Sequence, residues 1–256
     1  MSEPGKYDPN ATNPMGSAQA NMRAPVIKRF FKQASIAEVD GRFALQLDGR
    51  GARTPGKAPL VAPRRAIAEL IAAEWAGQGE IIEPWTMPAT RLANSAIDGV
   101  AKTLAGTRAE IAKYAGTDLV CYRAEEPDEL AAMQAEAHDP ALAWARETLG
   151  APFVVAKGVM FVEQPRPALE SVEAAVDRYD DPFAVASLHV LTSLSGSALL
   201  ALMLARGALA PEEAWRAAHV DEDFQILKWG EDHEAKQRRE TRWSEFATAA
   251  RVIAAI

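Results

Sequence analysis

The twenty-four residues from Pro182 to Ala205 (PFAVASLHVLTSLSGSALLALMLA) contain no Asp, Glu, Lys or Arg. A stretch like this either spans a membrane or sits at the centre of a helical core. Length alone permits a span, because about 20 apolar residues cross a bilayer. However, the segment carries Ser187, His189, Thr192, Ser193, Ser195, Gly196 and Ser197, and no cationic flank or aromatic belt frames it. The pattern is that of a buried central helix, apolar nearly all round. Small hydroxyl residues on such a helix allow close packing and bond back to their own carbonyls.

The N-terminal part has a different period. Asp40-Gly41 and Asp48-Gly49 are two-residue hairpin signals. Between them Phe43, Leu45 and Leu47 alternate onto one face. Residues 26–62 therefore predict a small antiparallel β-meander, too small to stand alone. Its cover follows directly: Ile67, Leu70, Ile71 and Trp75 share one helical face after Pro63, and Gly77 and Gly79 end the helix. This makes Trp75 a structural residue. From about Ala89 onward the pattern is helix after helix. One runs from Pro127 towards Gly150 and is expected to break at Asp139-Pro140. A non-helical apolar patch lies between Pro152 and Pro165, and Asp221 or Asp223 is the expected cap of the last long helix. The predicted fold class is α+β. A tail over residues 1–24 is expected to be disordered, followed by a small α+β domain over 25–95 and a helical bundle over 96–256.

Composition narrows the function. The chain has 256 residues, 48% hydrophobic and 25% charged, as ordinary globular proteins have. Its net charge of −7 provides no global field for nucleic acid or anionic lipid. One cysteine, Cys121, excludes an internal disulfide framework and a thiolate zinc site within the chain. The first 24 residues have no apolar run and are not rich in Arg, so they resemble neither a secretory signal nor a transit peptide. A cytoplasmic location is expected.

The catalytic candidates are weak. Gly51 to Lys57 has the GxxxxGK spacing of a phosphate loop, but Ala58-Pro59 follows where a hydroxyl residue and a helix should start. None of His138, His189, His219 and His233 falls at metal-ligand spacing. His189 and Ser193 lie one turn apart without a nucleophile elbow around the serine. No metal site and no cofactor is predicted. A stronger candidate is an acidic and aromatic segment, Asp221, Glu222, Asp223, Phe224, Trp229, Glu231 and Asp232, which has the composition of a protein-binding surface.

An ordered set of short motifs goes further. It comprises Lys28-Arg-Phe-Phe-Lys32, Leu47-Asp-Gly-Arg50 with Arg53-Thr-Pro55, Glu74-Trp75 with Gln78, and Met87-Pro88 with Thr90 through Asn94 and Asp98. It continues in Gly116-Thr-Asp-Leu119, Cys121-Tyr-Arg123, Asp139-Pro140 with Trp144, Gln164-Pro165, Ser195-Gly-Ser197, Asp221-Glu-Asp223 and Trp229-Gly-Glu-Asp232. The series resembles the assembly chaperones of the catalytic head of the ATP synthase, the F1-ATPase, and among them those acting on its α subunit. Departures are His138 and Phe224, where that family usually has Trp, and Phe161, where it usually has Pro. The resemblance implies a non-enzymatic, monomeric protein that holds the free α subunit until it meets β. It also implies an orthogonal helical bundle behind the small α+β unit, and homologues in the mitochondrial matrix. The acidic-aromatic segment, with Asp221, Asp223, Phe224, Trp229, Glu231 and Asp232, is expected to contribute to holding the α subunit, and the resemblance places a motif at each of its ends. The competing expectation is a small-molecule or nucleotide-binding enzyme that uses the cleft between the two domains, with His189, Ser193 or Lys57.

Overall fold

The computed structural model describes residues 27–158 and 160–256. The tail expected over residues 1–24 lies outside them. Both Asp-Gly pairs form the turns that the sequence predicts. Asp40 and Asp48 have φ of 50°, Gly41 74° and Gly49 76°. Two successive left-handed residues match the twist of an antiparallel hairpin. Strand β1 (Ala34–Val39) pairs antiparallel with β2 (Arg42–Leu47). Two short strands, β3 (Arg50–Gly51) and β4 (Val61–Ala62), line the other edge of β2. Helix α1 (Arg65–Ala76) covers the sheet, burying Ile67, Ala68 and Ile71 over Leu45 and Leu47. At its end Trp75 meets Phe30 and Phe31 edge-on, with ring centroids 6.4 and 5.5 Å away.

Helix α2 (Pro88–Asp98) has no capping side chain of its own. Glu74, on α1, takes that role and accepts from the Ala89 N–H (2.6 Å), the Thr90 N–H (2.8 Å) and the Thr90 hydroxyl (2.7 Å). An acid at a helix N-terminus satisfies orphan donors and suits the helix dipole. Partial burial raises the Glu74 pKa nonetheless, against the pull of these bonds. Helix α2 packs on α1 and also against the helical unit.

That unit begins with α3 (Leu104–Lys113) and α4 (Asp128–Trp144). The break expected at Asp139-Pro140 does not occur. Pro140 faces solvent, so the carbonyl it leaves unpaired on exposed Glu136 meets water. The residues before it are pinned: Asp139 accepts from Arg123 (2.6 Å), and the His138 ring bonds the Ala217 carbonyl (2.9 Å). A single turn of π-helix over residues 145–149 ends at Gly150 with φ 65°. Strand β5 (Tyr122–Arg123) pairs parallel with β6 (Ala156–Lys157), and α5 (Arg166–Val176) follows.

The charge-free stretch proves to be two helices rather than one. Helix α6 (Pro182–Ser195) starts on Asp181, whose carboxylate accepts from the N–H groups of Phe183 and Ala184. It ends at Gly196, which is left-handed with φ 68°. Ser197 then caps α7 (Ala198–Ala205) by accepting from the Leu200 N–H at 3.0 Å. Ser187 and Ser195 donate back to the Phe183 and Leu191 carbonyls (2.8 and 2.7 Å). Among the described residues no helix is long and apolar enough to cross a membrane. Three more helices, α8 (Pro211–Ala218), α9 (Val220–Trp229) and α10 (His233–Ala254), surround the buried pair. The fold is α+β.

The join between α6 and α7 rests on Asp118. This carboxylate is fully buried and accepts from the Leu199 N–H at the start of α7 (3.1 Å) and from its own Val120 N–H (3.2 Å). The Leu119 N–H donates to the Gly196 carbonyl (3.1 Å). Burial pushes the Asp118 carboxyl up to about 6 from its ordinary 3.8, against the bonds from Ser197, Leu199, Val120 and Ala198.

Two predictions follow from this packing. Trp75→Ala is expected to cost about 3 kcal/mol, the lower end for a large aromatic because the ring is only half-buried. Chemical denaturation reads it, and an unchanged midpoint contradicts the cover that α1 gives the sheet. For Asp118, the folded carboxyl holds its proton to a higher pH than the unfolded one. Stability from this group is therefore full below about pH 4 and is lost as pH rises through about 6, by on the order of 3 kcal/mol. Asp118→Asn keeps an acceptor without a charge and should lack that slope. Parallel stability curves for parent and variant between about pH 4 and pH 7 contradict the assignment.

Candidate functional site

The acidic-aromatic segment spans α9, the turn at Gly230 (φ 86°) and the start of α10. Its acids have different surroundings. Asp221 accepts from the Gln134 amide (2.6 Å), which itself holds the Ala124 N–H (2.5 Å). Asp223 pairs with Arg239, and Glu222 with Arg242 (3.4 Å) and Arg239 (4.0 Å). These pairs fasten α9 to α10. The expected cap is corrected: Asp232 caps the last long helix, accepting from the Ala235 N–H at 2.9 Å. Asp221 and Asp223 instead lie in the first turn of α9, where acids favour the dipole. Glu231 pairs with Lys236 at 3.0 Å.

The two aromatics also divide. Phe224 is 5% exposed and forms the floor of a cleft, with the Lys228 ammonium 5.2 Å from its ring. Trp229 is 77% exposed on the rim. The cleft holds about 720 Å³, and its other walls include Tyr122, Glu125, Glu126, Pro127, Leu130 and Gly158. Just beyond Gly158 the connection to α5 turns Met160 (74% exposed) and Phe161 (66%) outward. Val154 and Val155 are also exposed. The Gln164 amide bonds both the N–H and the C=O of Val154 at 2.9 Å, holding this apolar loop in place. Large apolar side chains at such exposure, beside acids, have the make-up of a protein-binding surface. Sequence reasoning missed Glu125, Glu126, Met160 and Phe161. The signal was present: the Pro152–Pro165 patch has apolar runs with neither helical nor strand period, so nothing dictates their burial.

Of the catalytic candidates, the would-be phosphate loop and Cys121 have structural settings, while His189 lines a cavity of about 610 Å³ with Arg91, Glu110 and Glu245. Asp98 inserts its carboxylate into the would-be phosphate loop, accepting from the Thr54 hydroxyl and the Gly56 N–H, both at 2.7 Å. These bonds hold the Asp98 carboxyl below its usual range. The Asp98 carboxylate thus takes the Thr54 and Gly56 donors and places a negative charge where the loop would hold a phosphate. His189 lies 3.8 Å from Glu110, and Ser193 on the next turn is exposed. Cys121 is buried, and desolvation pushes its thiol up to about 12, away from any thiolate chemistry.

Comparison with known proteins fits this layout. The ATP12 chaperone protein family matches residues 28–146. The crystal structure of a candidate chaperone from Agrobacterium tumefaciens is 44% identical, with a TM-score of 0.86 over 96% of this chain and 92% of that one. The chain belongs to the ATP12 chaperone family. Atp12 from Paracoccus denitrificans superposes with a TM-score of 0.81 at 39% identity, covering 89% of this chain and 97% of that one. A mutant of the same Paracoccus protein gives the same TM-score at 38% identity.

The structure also shows what the ordered motifs do in this ATP12 chain. They meet in pairs: Glu74 caps the Met87-Pro88 helix, Asp98 fills the Thr54-Pro55 loop, Arg123 holds Asp139, and Asp118 holds the start of α7 after Ser195-Gly-Ser197. Gly56 belongs to this set, since a Cβ there would stand 2.5 Å from the Asp98 carboxylate. Gly56→Ala is expected to expel Asp98 and lower the melting temperature, while Mg-ATP titration gives no binding heat with either parent or Lys57→Ala. Micromolar ATP binding that Lys57→Ala abolishes contradicts this account of the loop.

Proposed function

We propose that this ATP12-family chaperone holds the free α subunit of the F1-ATPase before it assembles with β. It acts as a cytoplasmic monomer without catalysis of its own. The observation that carries the reading is the rim of the α9 cleft, where Trp229 stands exposed among Glu125, Glu126 and Asp221, and the exposed Met160 and Phe161 follow in the chain just after Gly158 of the cleft wall. In the assembled head α and β alternate, so a free α subunit presents apolar interfaces that aggregate unless covered. A rim of this kind covers such a surface and releases it to β, because its apolar contact is limited and its acids stay solvated.

Asp221, Asp223, Phe224, Trp229, Glu231 and Asp232 contribute differently under this reading. Trp229 is the anchor, Glu231 and Asp232 steer the encounter, and Asp221, Asp223 and Phe224 build the cleft that presents them. Trp229→Ala is expected to leave the fold intact and to weaken α-subunit binding by about 2 kcal/mol, roughly thirtyfold. Charge reversal at Glu231 and Asp232 should lower protection mostly at low salt, with about 1 kcal/mol of stability lost through the Asp232 cap. The measurement is suppression of α-subunit aggregation by light scattering. Full protection by a Trp229→Ala, Met160→Ser, Phe161→Ser triple variant removes this face as the client site.

A further inference from the structure

The charge of this chain is unevenly placed. Residues 27–65 carry nine Lys and Arg against three acids, a surplus of six cations in a chain whose net charge is −7. Among the described residues only Arg65 of these nine forms an ion pair, at 4.0 Å from Glu38. The β unit therefore carries a local surplus of cations on an otherwise acidic molecule.

That face contains a groove of about 600 Å³. Phe30, Phe31 and Trp75 form one wall, and Arg50 and Arg53 stand on the other. Phe30 is 66% exposed although its ring sits edge-on to Trp75. The acid in the groove, Asp48, is already engaged. It accepts from the Lys32 N–H (3.0 Å) and the Gln33 N–H (2.8 Å), which hold it ionised, so against Arg50 and Arg53 the groove lining keeps one net positive charge. In the aromatic wall the Trp75 indole N–H is buried without a hydrogen-bond partner among the described residues. Such orphan donors are rare, since each costs the desolvation of the group.

We propose that this groove is a second docking site, which receives an acidic segment with an aromatic or aliphatic anchor from the client protein. The anchor packs on Phe30 and Trp75, its flanking carboxylates pair with Arg50 and Arg53, and an oxygen entering beside Phe30 accepts from the Trp75 indole. Arginine beside aromatic rings suits carboxylates, which it binds through a planar fork. A short acidic peptide is favoured over nucleic acid. Screening within about 8–10 Å lets a few carboxylates feel only the local cations, whereas a long polyanion also meets the net negative remainder of the chain. With the α9 rim this gives the chaperone two separated contacts of opposite charge preference, so the client is held by both and released when either is displaced. The inference rests on the client-holding reading for its biological partner, but not for its chemistry.

The test uses the full chain and a fluorescein-labelled peptide of alternating Glu and Leu around one Phe, with its Lys-for-Glu counterpart as control. Anisotropy is expected to show salt-sensitive binding of the acidic peptide only. Arg50→Glu with Arg53→Glu should weaken it at least about tenfold while circular dichroism and the melting curve stay unchanged. Arg53 also donates to the Lys57 carbonyl (2.7 Å), so Arg50→Glu alone, expected to weaken binding several-fold, guards against local unfolding. Equal binding by parent and both variants, absence of peptide binding, or tighter binding of a single-stranded oligonucleotide at the same site overturns the proposal. Failure of α-subunit protection together with intact peptide binding overturns the client assignment and leaves the groove standing. Unchanged α-subunit protection in the arginine variants overturns the groove as a client contact and leaves the α9 rim standing.

Discussion

A single carboxylate, Asp118, organises the helical unit. It lies at the point where the charge-free stretch breaks, and holds the first turn of α7 while Leu119 holds the Gly196 carbonyl. Left-handed Gly196 and the Ser197 cap mark the break, but without Asp118 the Leu199 N–H in the first turn of α7 would be unsatisfied in a core that water does not reach. The interaction is not cheap. Desolvation outweighs the hydrogen bonds and lifts the carboxyl to about 6. What the chain gains is direction, because α7 leaves α6 at a fixed corner and the surrounding helices pack against both.

The same device recurs across the molecule. Glu74 caps α2 from α1, Asp98 fills the loop after β3, Arg123 joins β5 to α4, and the Glu222 and Asp223 pairs with Arg239 and Arg242 join α9 to α10. Each link connects elements that are not neighbours through apolar packing alone. The result is a frame held by polar joints, on which two surfaces are displayed: an acidic rim with Trp229, and a basic groove with Phe30 and Trp75. The GxxxxGK spacing shows how such a joint can resemble a ligand site. The backbone that would cradle a phosphate is closed around the protein's own carboxylate, so the loop serves stability.

The acidic-aromatic segment illustrates a division that composition hides. All its members look alike in the sequence, yet Asp223 and Glu222 face arginines, Phe224 is a floor, Asp232 is a cap, and Trp229 projects into solvent. The fold thus gives residues of one composition different surroundings and different freedom to meet a partner.

The sequence by itself determined the elements whose signals are local. Asp-Gly pairs force left-handed turns, so the meander was legible. Asp181-Pro182 marked a helix start, and alternation against helical period separated the β unit from the bundle. The ordered motifs carried the chaperone family, because they are polar joints whose geometry tolerates little change. Only the tertiary structure decided what depends on a partner far along the chain. Pro140 stays helical because its exposed side meets water and Arg123 pins its neighbour. The corner between the two apolar helices is held because Asp118, some eighty residues earlier in the chain, takes the Leu199 N–H just past Gly196. Whether an acid or an aromatic faces solvent is likewise a property of what packs beside it, and the sequence lists side chains without saying which of them are already taken.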